Sequence, residues 1–343
     1  MVDYTTREMM EAIRLSVTNS NFLVRTFFPT VKTHLAEKIE VDVKKGGRKM
    51  APFVSPRRGG KVVTREGFHT NQIQTPKLAP ERLVTTDDVT KRGFGENVYT
   101  TMSPEEREDE LLAQDTLEMQ EMIDRRTEWM AAKVLTTGGF DVVDEKEGID
   151  IHVDYNFTNQ EVLSGTNKWD NEASDPDADL LKWSLAVTKA SGVKPDILLC
   201  DSKTMRLYLN HAKVVAKANI LNVNDTRIEP KIIDANVTFH GRIASLGLDL
   251  YSYDEWIDDE SNPGMQVLPY GTVMLANSKG IGTVHYGAVT QAEPGQGFVT
   301  YEAQSVPKHI VDEDNDIEKL RMTSRPLPAP DDVDSWAILV VAS

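Results

Sequence analysis

Residues 103–139 of the chain read SPEEREDELLAQDTLEMQEMIDRRTEWMAAKVLTTGG. Ser103 and Glu106 have the spacing of a capping box and Pro104 takes the first helical position, so a helix is predicted to begin here. The next helix-breaking signal is the glycine pair at 138–139. A continuous spine helix over 103–137 would be roughly 50 Å long. Its apolar residues recur at alternating spacings of seven and four, which places them on one face: Leu112, Met119, Ile123, Met130 and Val134.

This long helix has two possible uses. A narrow apolar stripe with charged flanks is found in coiled coils, and it is found equally on a helix that lies on a sheet. The sequence of the helix alone leaves both open.

The first 35 residues are predicted to form a short amphipathic helix and then an extended apolar segment, FLVRTFFPTV at 22–31. So many large apolar side chains are unusual near a terminus. They predict an arm that docks on another surface, with Phe27 and Phe28 as its candidate contact residues.

The following segment has the pattern of a polar hairpin. Ile39, Val41 and Val43 alternate with acidic residues, which indicates a strand. Lysines and glycines at 44–47 predict a turn, and residues 49–54 a returning strand. A two-stranded hairpin alone is marginal in water, so this one must pack on a neighbour. It is either an ordinary surface hairpin or an arm that contacts another subunit.

C-terminal to the long helix, strand and helix patterns alternate as in a mixed α+β domain. A helix opened by Asp175 carries Leu181, Leu185 and Thr188 on one face. The last segment, 336–341, is so apolar that it must insert into a sheet, because it would aggregate if exposed. The other predicted elements are strands at 140–143, 149–155, 196–200, 238–243, 246–251 and 271–275, and a helix capped by Ser202.

The composition allows a large folded core and gives no membrane or secretion signal. Hydrophobic residues make up 40% of the 343 residues. No stretch approaches the ~18 consecutive apolar residues of a membrane helix, and the N-terminus lacks the apolar block of a signal peptide. Cys200 is the only cysteine, which rules out an intramolecular disulfide. Synthesis in a reducing cytoplasm is expected.

Charge is divided unevenly along the chain. Residues 1–92 hold 17 Lys+Arg and 10 Asp+Glu, a balance of +7, and residues 93–343 hold 21 and 44, a balance of −23, which sums to −16. The acidic bulk disfavours non-specific nucleic-acid binding because it repels phosphate. The basic part either contacts acidic surfaces of other copies or simply keeps its own surface soluble.

Sequence motifs for catalysis or ligand binding are missing. There is no P-loop, no histidine pair at metal-binding spacing and no Gly-x-Ser-x-Gly elbow. Asp312, Asp314 and Asp316 have calcium-loop spacing, but Ile317 and Thr323 stand where that loop needs a glycine and a glutamate. No catalytic residue, metal or cofactor is therefore predicted.

Short stretches spread over the chain carry a family resemblance. They are YTT at 4–6 with LVRTFFP at 23–29, FVSP at 53–56 with TPKLAP at 75–80, GGFD at 138–141, MQVLPYGTVML at 265–275 with HYGAV at 285–289, and SRPLP at 324–328. In this order they resemble the lambda-type phage major capsid protein E family, whose members have the Hong Kong 97-type capsid fold.

The resemblance implies an α+β fold of that type with an N-arm, an extended loop, a spine-helix peripheral domain and an axial domain. The polar hairpin becomes sensible in this fold if neighbouring subunits cover it. The implied parts are the N-arm at 1–35, the extended loop at 36–95, the peripheral domain at 96–160 with the spine helix at 103–137, the axial domain at 161–300, and a return to the peripheral domain at 301–343 with the C-terminal strand.

The implied function is that of the major capsid protein of a tailed bacteriophage. The chain would form hexamers and pentamers of an icosahedral shell that encloses double-stranded DNA without reading its sequence. Scaffold, portal and decoration proteins are the expected partners, and no membrane or catalysis is involved. Assembly would take place in the host cytoplasm and the product would be the virion. Besides Phe27 and Phe28, the candidate contact residues between subunits are Lys44, Lys45, Arg48, Lys49, Arg57 and Arg58.

Two alternatives accompany this expectation. The first is an encapsulin-like compartment that encloses a cargo enzyme, which copurified cargo would identify. The second is a soluble α/β enzyme. The long helix and the polar hairpin argue against the enzyme, because a monomer would leave both uncovered.

Overall fold

The computed structural model describes residues 6, 9–10, 21–44, 50–51, 53, 68–90, 103–144, 148–220, 226–259, 263–293, 295–312 and 317–342. Helices α1 to α6 are Phe22–Phe27, Thr86–Thr90, Pro104–Thr137, Pro176–Ser191, Ser202–Leu209 and Ala212–Ile220. Strands β1 to β21 are Thr30–Thr33, Lys38–Lys44, Phe68–Gln74, Glu81–Thr85, Gly139–Asp144, Ile149–Asp154, Gln160–Val162, Ile197–Cys200, Thr226–Asp234, Val237–Ile243, Leu248–Tyr253, Trp256–Ile257, Met265–Gln266, Thr272–Ala276, Gly282–Tyr286, Val289–Glu293, Gly297–Tyr301, Val306–Asp312, Ile317–Thr323, Pro326–Pro330 and Ala337–Val340.

The long helix predicted at 103–137 is confirmed as α3, with its ends set by the local signals. The Ser103 hydroxyl accepts a hydrogen bond from the Glu106 N–H, and the Glu106 carboxylate accepts one from the Ser103 N–H. Gly138 ends the helix at a φ of 80°, a left-handed conformation that glycine adopts at little cost.

The long helix lies on sheets of its own chain. Met119 and Ile123 pack against Leu320 and Met322 of β19. The C-terminal half of the helix enters the main core, so the expectation that α3 would be uncovered in a monomer is wrong for this half. Its core residues are Met130, Ala131, Ala132, Val134 and Leu135.

A seven-stranded mixed sheet forms the centre of the fold, in the order β7-β21-β14-β8-β11-β10-β9. β8 pairs in parallel with β11 and antiparallel with β14. Because successive strand residues point to opposite faces, Ile197 and Leu199 enter the main core that contains α3. Leu198 and Cys200 enter a second core with α4 and α5. Burial on both faces explains the unbroken apolar run of β8.

The C-terminal strand is inserted between β7 and β14, as its hydrophobicity predicts. It belongs to the seven-stranded central sheet. The reason is that β21 and the residue after it are apolar on both faces: Ile338 covers the main core, whereas Leu339 and Val341 cover the second. Only a strand between two cores buries both sets.

Smaller sheets complete the side of the molecule that carries α3. They are β1-β15-β20 and β18-β19-β4, and Leu327 and Ala329 of β20 lie in the main core. β15, which precedes residue 301, pairs with β20. The two-stranded pairs are β2-β3, β5-β6, β12-β13 and β16-β17.

Two N-terminal predictions are corrected. The segment predicted to be extended forms α1 followed by β1. The partner of β2 is β3 and not residues 49–54, of which Met50, Ala51 and Phe53 are described and lie outside strands. The pairing places Ile39 opposite Ile73, and both side chains are buried, whereas the nearer segment offers few apolar partners.

Two helix predictions are also corrected. Asp201, rather than Ser202, caps α5, because its carboxylate accepts hydrogen bonds from the N–H groups of Lys203 and Thr204. The apolar face assigned to α4 through Leu181 and Leu185 points to solvent. The buried residues of α4 are Pro176, Leu180, Ser184 and Val187.

Candidate assembly surfaces

Phe27 and Phe28, predicted to contact a neighbouring subunit, are buried in their own chain. Both rings belong to the main core together with Leu23. The Phe27 carbonyl also accepts a hydrogen bond of 2.6 Å from the Ile281 N–H. The prediction for these two residues is wrong, because the core of the same chain leaves no ring surface for a partner.

Glu128 on the long helix anchors this N-terminal segment. Its Oε1 accepts hydrogen bonds from the Leu23 N–H at 2.7 Å and the Tyr253 hydroxyl at 2.9 Å, and its Oε2 accepts one from the Val24 N–H at 3.0 Å. Helix α1 has no side-chain cap of its own, so Glu128 satisfies N–H groups that lack a partner within the helix.

Burial determines the ionisation of Glu128. It raises the pKa to about 7, against the lowering effect of the hydrogen bonds from Leu23, Val24 and Tyr253. No motif marks this residue in the sequence, because its donors come from elements that are distant along the chain.

Most of the basic contact candidates lie outside the described residues. Lys44 is the last residue of β2, and Lys45, Arg48, Lys49, Arg57 and Arg58 fall in the undescribed part between β2 and β3. Two described neighbours, Met50 and Phe53, have exposed fractions of 85% and 100%. Large apolar side chains that the chain itself does not cover thus accompany the basic residues.

The N-terminal half of the long helix presents an acidic face to solvent. From residue 105 to residue 122, every charged residue classed as exposed is acidic: Glu105, Glu106, Asp109, Glu110 and Glu121. Leu117 and Met122 of the same helix are 46% and 41% exposed. The helix face is acidic, whereas the segment 44–58, called here the basic hairpin, carries the basic contact candidates. Both also expose large apolar side chains.

One serine–histidine–aspartate grouping occurs in the described part of the chain. The Ser252 hydroxyl lies 2.8 Å from His240 Nε2, and the Ser202 hydroxyl bonds to Asp254 and to Ser252. Ser252 is buried, so a substrate cannot reach it. Burial also lowers the pKa of His240. The cluster joins β10, β11 and α5 and has the geometry of a structural network.

An open concavity of about 710 Å³ lies between the loop at Trp169 and helices α5 and α6. His211 borders it, but both ring nitrogens are engaged. Nδ1 lies 3.3 Å from the Lys213 N–H, and Nε2 lies 3.0 Å from the Ser174 hydroxyl. This histidine is therefore not placed as a general base.

Within the described residues, no group of three or more His, Cys, Asp or Glu side chains could hold a metal ion. No helix in this part of the chain has the length and hydropathy to cross a membrane.

A sequence model of the family described as phage major capsid protein E matches residues 5–341. The chain belongs to this family. The major capsid proteins of Escherichia phage lambda and Enterobacteria phage phi80 are each 22% identical to it, with 99% of both chains covered. That of Escherichia phage N15 is 23% identical, with 84% of this chain and 85% of the relative covered. The family predicted from the short stretches is confirmed.

Solved capsid structures share the fold. A prophage capsid protein of E. coli CFT073 matches with a TM-score of 0.73 at 19% identity, covering 98% of this chain and 99% of that one. The capsid of a native GTA particle matches with a TM-score of 0.52 at 11% identity, covering 96% and 92%. The predicted Hong Kong 97-type α+β fold is confirmed. Together with the family, so is the predicted function as a major capsid protein of a tailed phage, which makes the chain a structural component of the virion.

Proposed function

We propose that the chain assembles into hexamers and pentamers of an icosahedral shell that encloses double-stranded DNA. The match to a capsid family over residues 5–341 is the observation that carries this proposal. The acidic net charge fits a container that holds nucleic acid without binding it tightly, because carboxylates repel phosphate. The role includes no catalytic step.

In the proposed shell each part of the chain has a role. Residues 1–35 serve as the N-arm and 36–95 as the extended loop. The long helix α3 is the spine of a peripheral domain, and the central sheet with α4 to α6 forms the axial domain around the capsomer axis. Scaffold, portal and decoration proteins are the proposed further partners, with assembly in the host cytoplasm.

The proposed contact joins the basic hairpin of one subunit to the acidic face of α3 on another. Lys44, Lys45, Arg48, Lys49, Arg57 and Arg58 supply the positive charge. Met50 and Phe53 on the hairpin, and Leu117 and Met122 on the helix, supply apolar area that an isolated chain leaves in water. Such a contact combines electrostatic steering with apolar burial.

Electron microscopy with light scattering on the full-length chain expressed alone tests the shell role. Closed shells, tubes or capsomer-sized rings are expected. A chain that stays monomeric at high concentration, with a candidate scaffold chain added as well, would contradict the proposal.

Charge reversal tests the proposed hairpin contact. Replacing Lys44, Lys45, Arg57 and Arg58 with glutamate should abolish assembly while the subunit stays folded, because carboxylates would then face carboxylates. Sedimentation and microscopy would measure assembly, and circular dichroism would measure folding. The control variant reverses four exposed lysines elsewhere, which changes the net charge equally: Lys77, Lys194, Lys203 and Lys279.

The two variants should differ. Normal assembly of the hairpin variant would refute the contact. An equal loss of assembly in both variants would show that net charge causes the effect, and it would refute the hairpin as the site of contact.

A further inference from the structure

Strand β1 joins two firmly anchored parts of the chain but is itself attached by few side chains. On its N-terminal side Phe27 and Phe28 lie in the main core, and on its C-terminal side Ile39 of β2 is buried. Between them, residues 29–38 are all exposed except Thr33 and His34, which are half-buried. The attachment of this segment therefore depends on backbone pairing with β15 and on these two side chains.

A pair of histidines lies between β1 and β15. Nε2 of His34 lies 2.8 Å from Nδ1 of His285, and the two rings stack with their centres 5.1 Å apart. His285 is 7% exposed. The N–H of His34 also donates a hydrogen bond of 2.9 Å to the Tyr286 carbonyl. These two residues, named here the histidine pair, tie the end of β1 to a buried position of β15.

The bond within the histidine pair depends on protonation. A neutral imidazole has one N–H donor and one acceptor nitrogen, whereas a protonated ring has two donors and no acceptor. The bond therefore survives the protonation of one ring, because the other ring still accepts. It is lost when both rings are protonated, because two N–H groups and two positive charges then face each other.

The surroundings of His285 oppose its protonation. Burial is the largest cause that lowers its pKa to about 4, and the positive charges of His34 and Lys32 add to this effect. Lys32 lies opposite His285 in the pairing of β1 with β15, and the partner of His285 on β20 is the uncharged Leu327.

The carboxylates bonded to residues around the histidine pair are engaged with other groups. None of them is among the causes that shift the pKa of His285. A second positive charge in the pair thus gains no stabilising partner from them. These carboxylates are Glu302, which accepts from the Thr33 hydroxyl at 2.7 Å, Glu37, which pairs with Arg325 at 3.1 Å, and Asp331, which accepts from the Thr283 hydroxyl at 3.5 Å.

We propose that the histidine pair is an acid-sensitive contact, and that protonation of both rings releases β1 from β15 while the rest of the subunit stays folded. This inference goes beyond the shell function, because it concerns contacts within one chain. After release, residues 29–38 form a free connection between α1 and β2, which keep their own buried anchors.

The Glu128 anchor of α1 responds to acid in the opposite direction. Its carboxylate accepts hydrogen bonds from the N–H groups of Leu23 and Val24. Because burial raises the pKa of Glu128, the folded state holds its proton more tightly than the unfolded chain, and acid favours this anchor. Release should therefore affect β1 and leave α1 in place.

The expected size of the effect follows from the proton balance. The pKa of His285 is lowered from 6.5 to about 4, so the attached strand excludes a proton that the released strand binds. The attachment is complete above about pH 6.5 and weakens as the pH falls towards 4. Near pH 5, release should be roughly 30-fold more favourable than near pH 8.

Hydrogen exchange of the full-length chain, followed by mass spectrometry, measures this release. Exchange near pH 5 and near pH 8 is corrected for the intrinsic pH dependence of amide exchange. Peptides within 30–36 should lose protection roughly 30-fold near pH 5 and regain it near pH 8. Peptides from α1 and β21 should change by less than about threefold.

An isosteric variant removes the titration and keeps the bond. His285→Asn places an amide at the position of Nδ1, and this amide takes up no proton, so protection of 30–36 should persist near pH 5. His152→Asn, which replaces an exposed histidine on the β5-β6 hairpin, is the control and should respond like the unaltered chain.

A second variant covers the case in which His285→Asn does not fold. His34→Gln places an amide at the position of Nε2, and its oxygen can accept from a protonated His285. The loss of protection near pH 5 should then shrink by about threefold or more.

Three results would overturn the proposal. The first is unchanged protection of 30–36 in the unaltered chain between the two pH values. The second is a full loss of protection in the folded isosteric variant, because another group would then be responsible. The third is a parallel loss in 30–36, α1 and β21, which would mean acid unfolding of the whole subunit.

Discussion

Replacing Trp336 with alanine should lower the free energy of unfolding by about 3–5 kcal/mol. Its ring is fully buried and stacks on Phe157, with ring centres 4.7 Å apart and planes inclined by 6°. Its Nε1 donates a hydrogen bond of 2.9 Å to the Leu135 carbonyl in the last turn of α3. Alanine would leave a cavity and an unsatisfied carbonyl where the C-terminal segment meets the long helix.

Urea unfolding followed by circular dichroism would measure this loss. Trp336→Phe keeps the stacking but loses the hydrogen bond, so it should cost about 1 kcal/mol. Trp256→Ala is the matched control: its ring is mostly exposed, and its effect on unfolding should stay within about 0.5 kcal/mol. If Trp336→Ala lowered the free energy of unfolding no more than Trp256→Ala does, the stabilising role of the buried Trp336 ring would be contradicted.

Replacing Glu128 with glutamine should destabilise the chain by about 1–3 kcal/mol near pH 5. Both oxygens of the Glu128 carboxyl can accept hydrogen bonds even when the group is protonated near pH 5, whereas glutamine offers one oxygen. Its NH₂ group would face the N–H of Val24 or the donors of Leu23 and Tyr253. One buried donor would then lose its acceptor, and the N-terminal segment would be held less tightly to α3.

The cost should shrink as the pH rises. The pKa of Glu128 is raised by burial from 4.5 to about 7, so between these values the folded chain holds a proton that the unfolded chain has released. Its stabilising contribution is complete below about pH 4.5 and is lost as the pH rises through about 7. The advantage of glutamate over glutamine should therefore fall by about 2–3 kcal/mol from pH 5 to pH 8.

Unfolding of both proteins at matched pH values measures this trend. Glu121→Gln, on the exposed side of the same helix, is the control and should follow the pH profile of the unaltered chain. A glutamine cost that stays constant or grows with pH would show that Glu128 does not titrate as its burial requires.

Features set by neighbouring residues were predictable from the sequence. The capping box at Ser103 and the glycine at 138 fixed the ends of α3, because both signals act within one helical turn. The position of β21 inside a sheet followed from its hydrophobicity. The family resemblance, carried by short stretches along the chain, correctly predicted the fold class and the capsid function.

The tertiary structure alone decided which distant partners meet. The strand opposite β2 is β3 rather than the nearer 49–54, because Ile39 needs a buried apolar partner and Ile73 provides it. Phe27 and Phe28 are buried in the core of their own chain. Periodicity placed Leu181 and Leu185 on one face of α4, but only packing showed that the buried face is the other one.

Glu128 marks this division most clearly. The sequence by itself determined that a capsid subunit contains a long helix with a defined start, end and apolar stripe. It could not mark one glutamate of that helix as buried, because the Leu23, Val24 and Tyr253 donors reach it only after folding. Local backbone preferences can be read along the chain, whereas burial and charge pairing depend on the whole packed molecule.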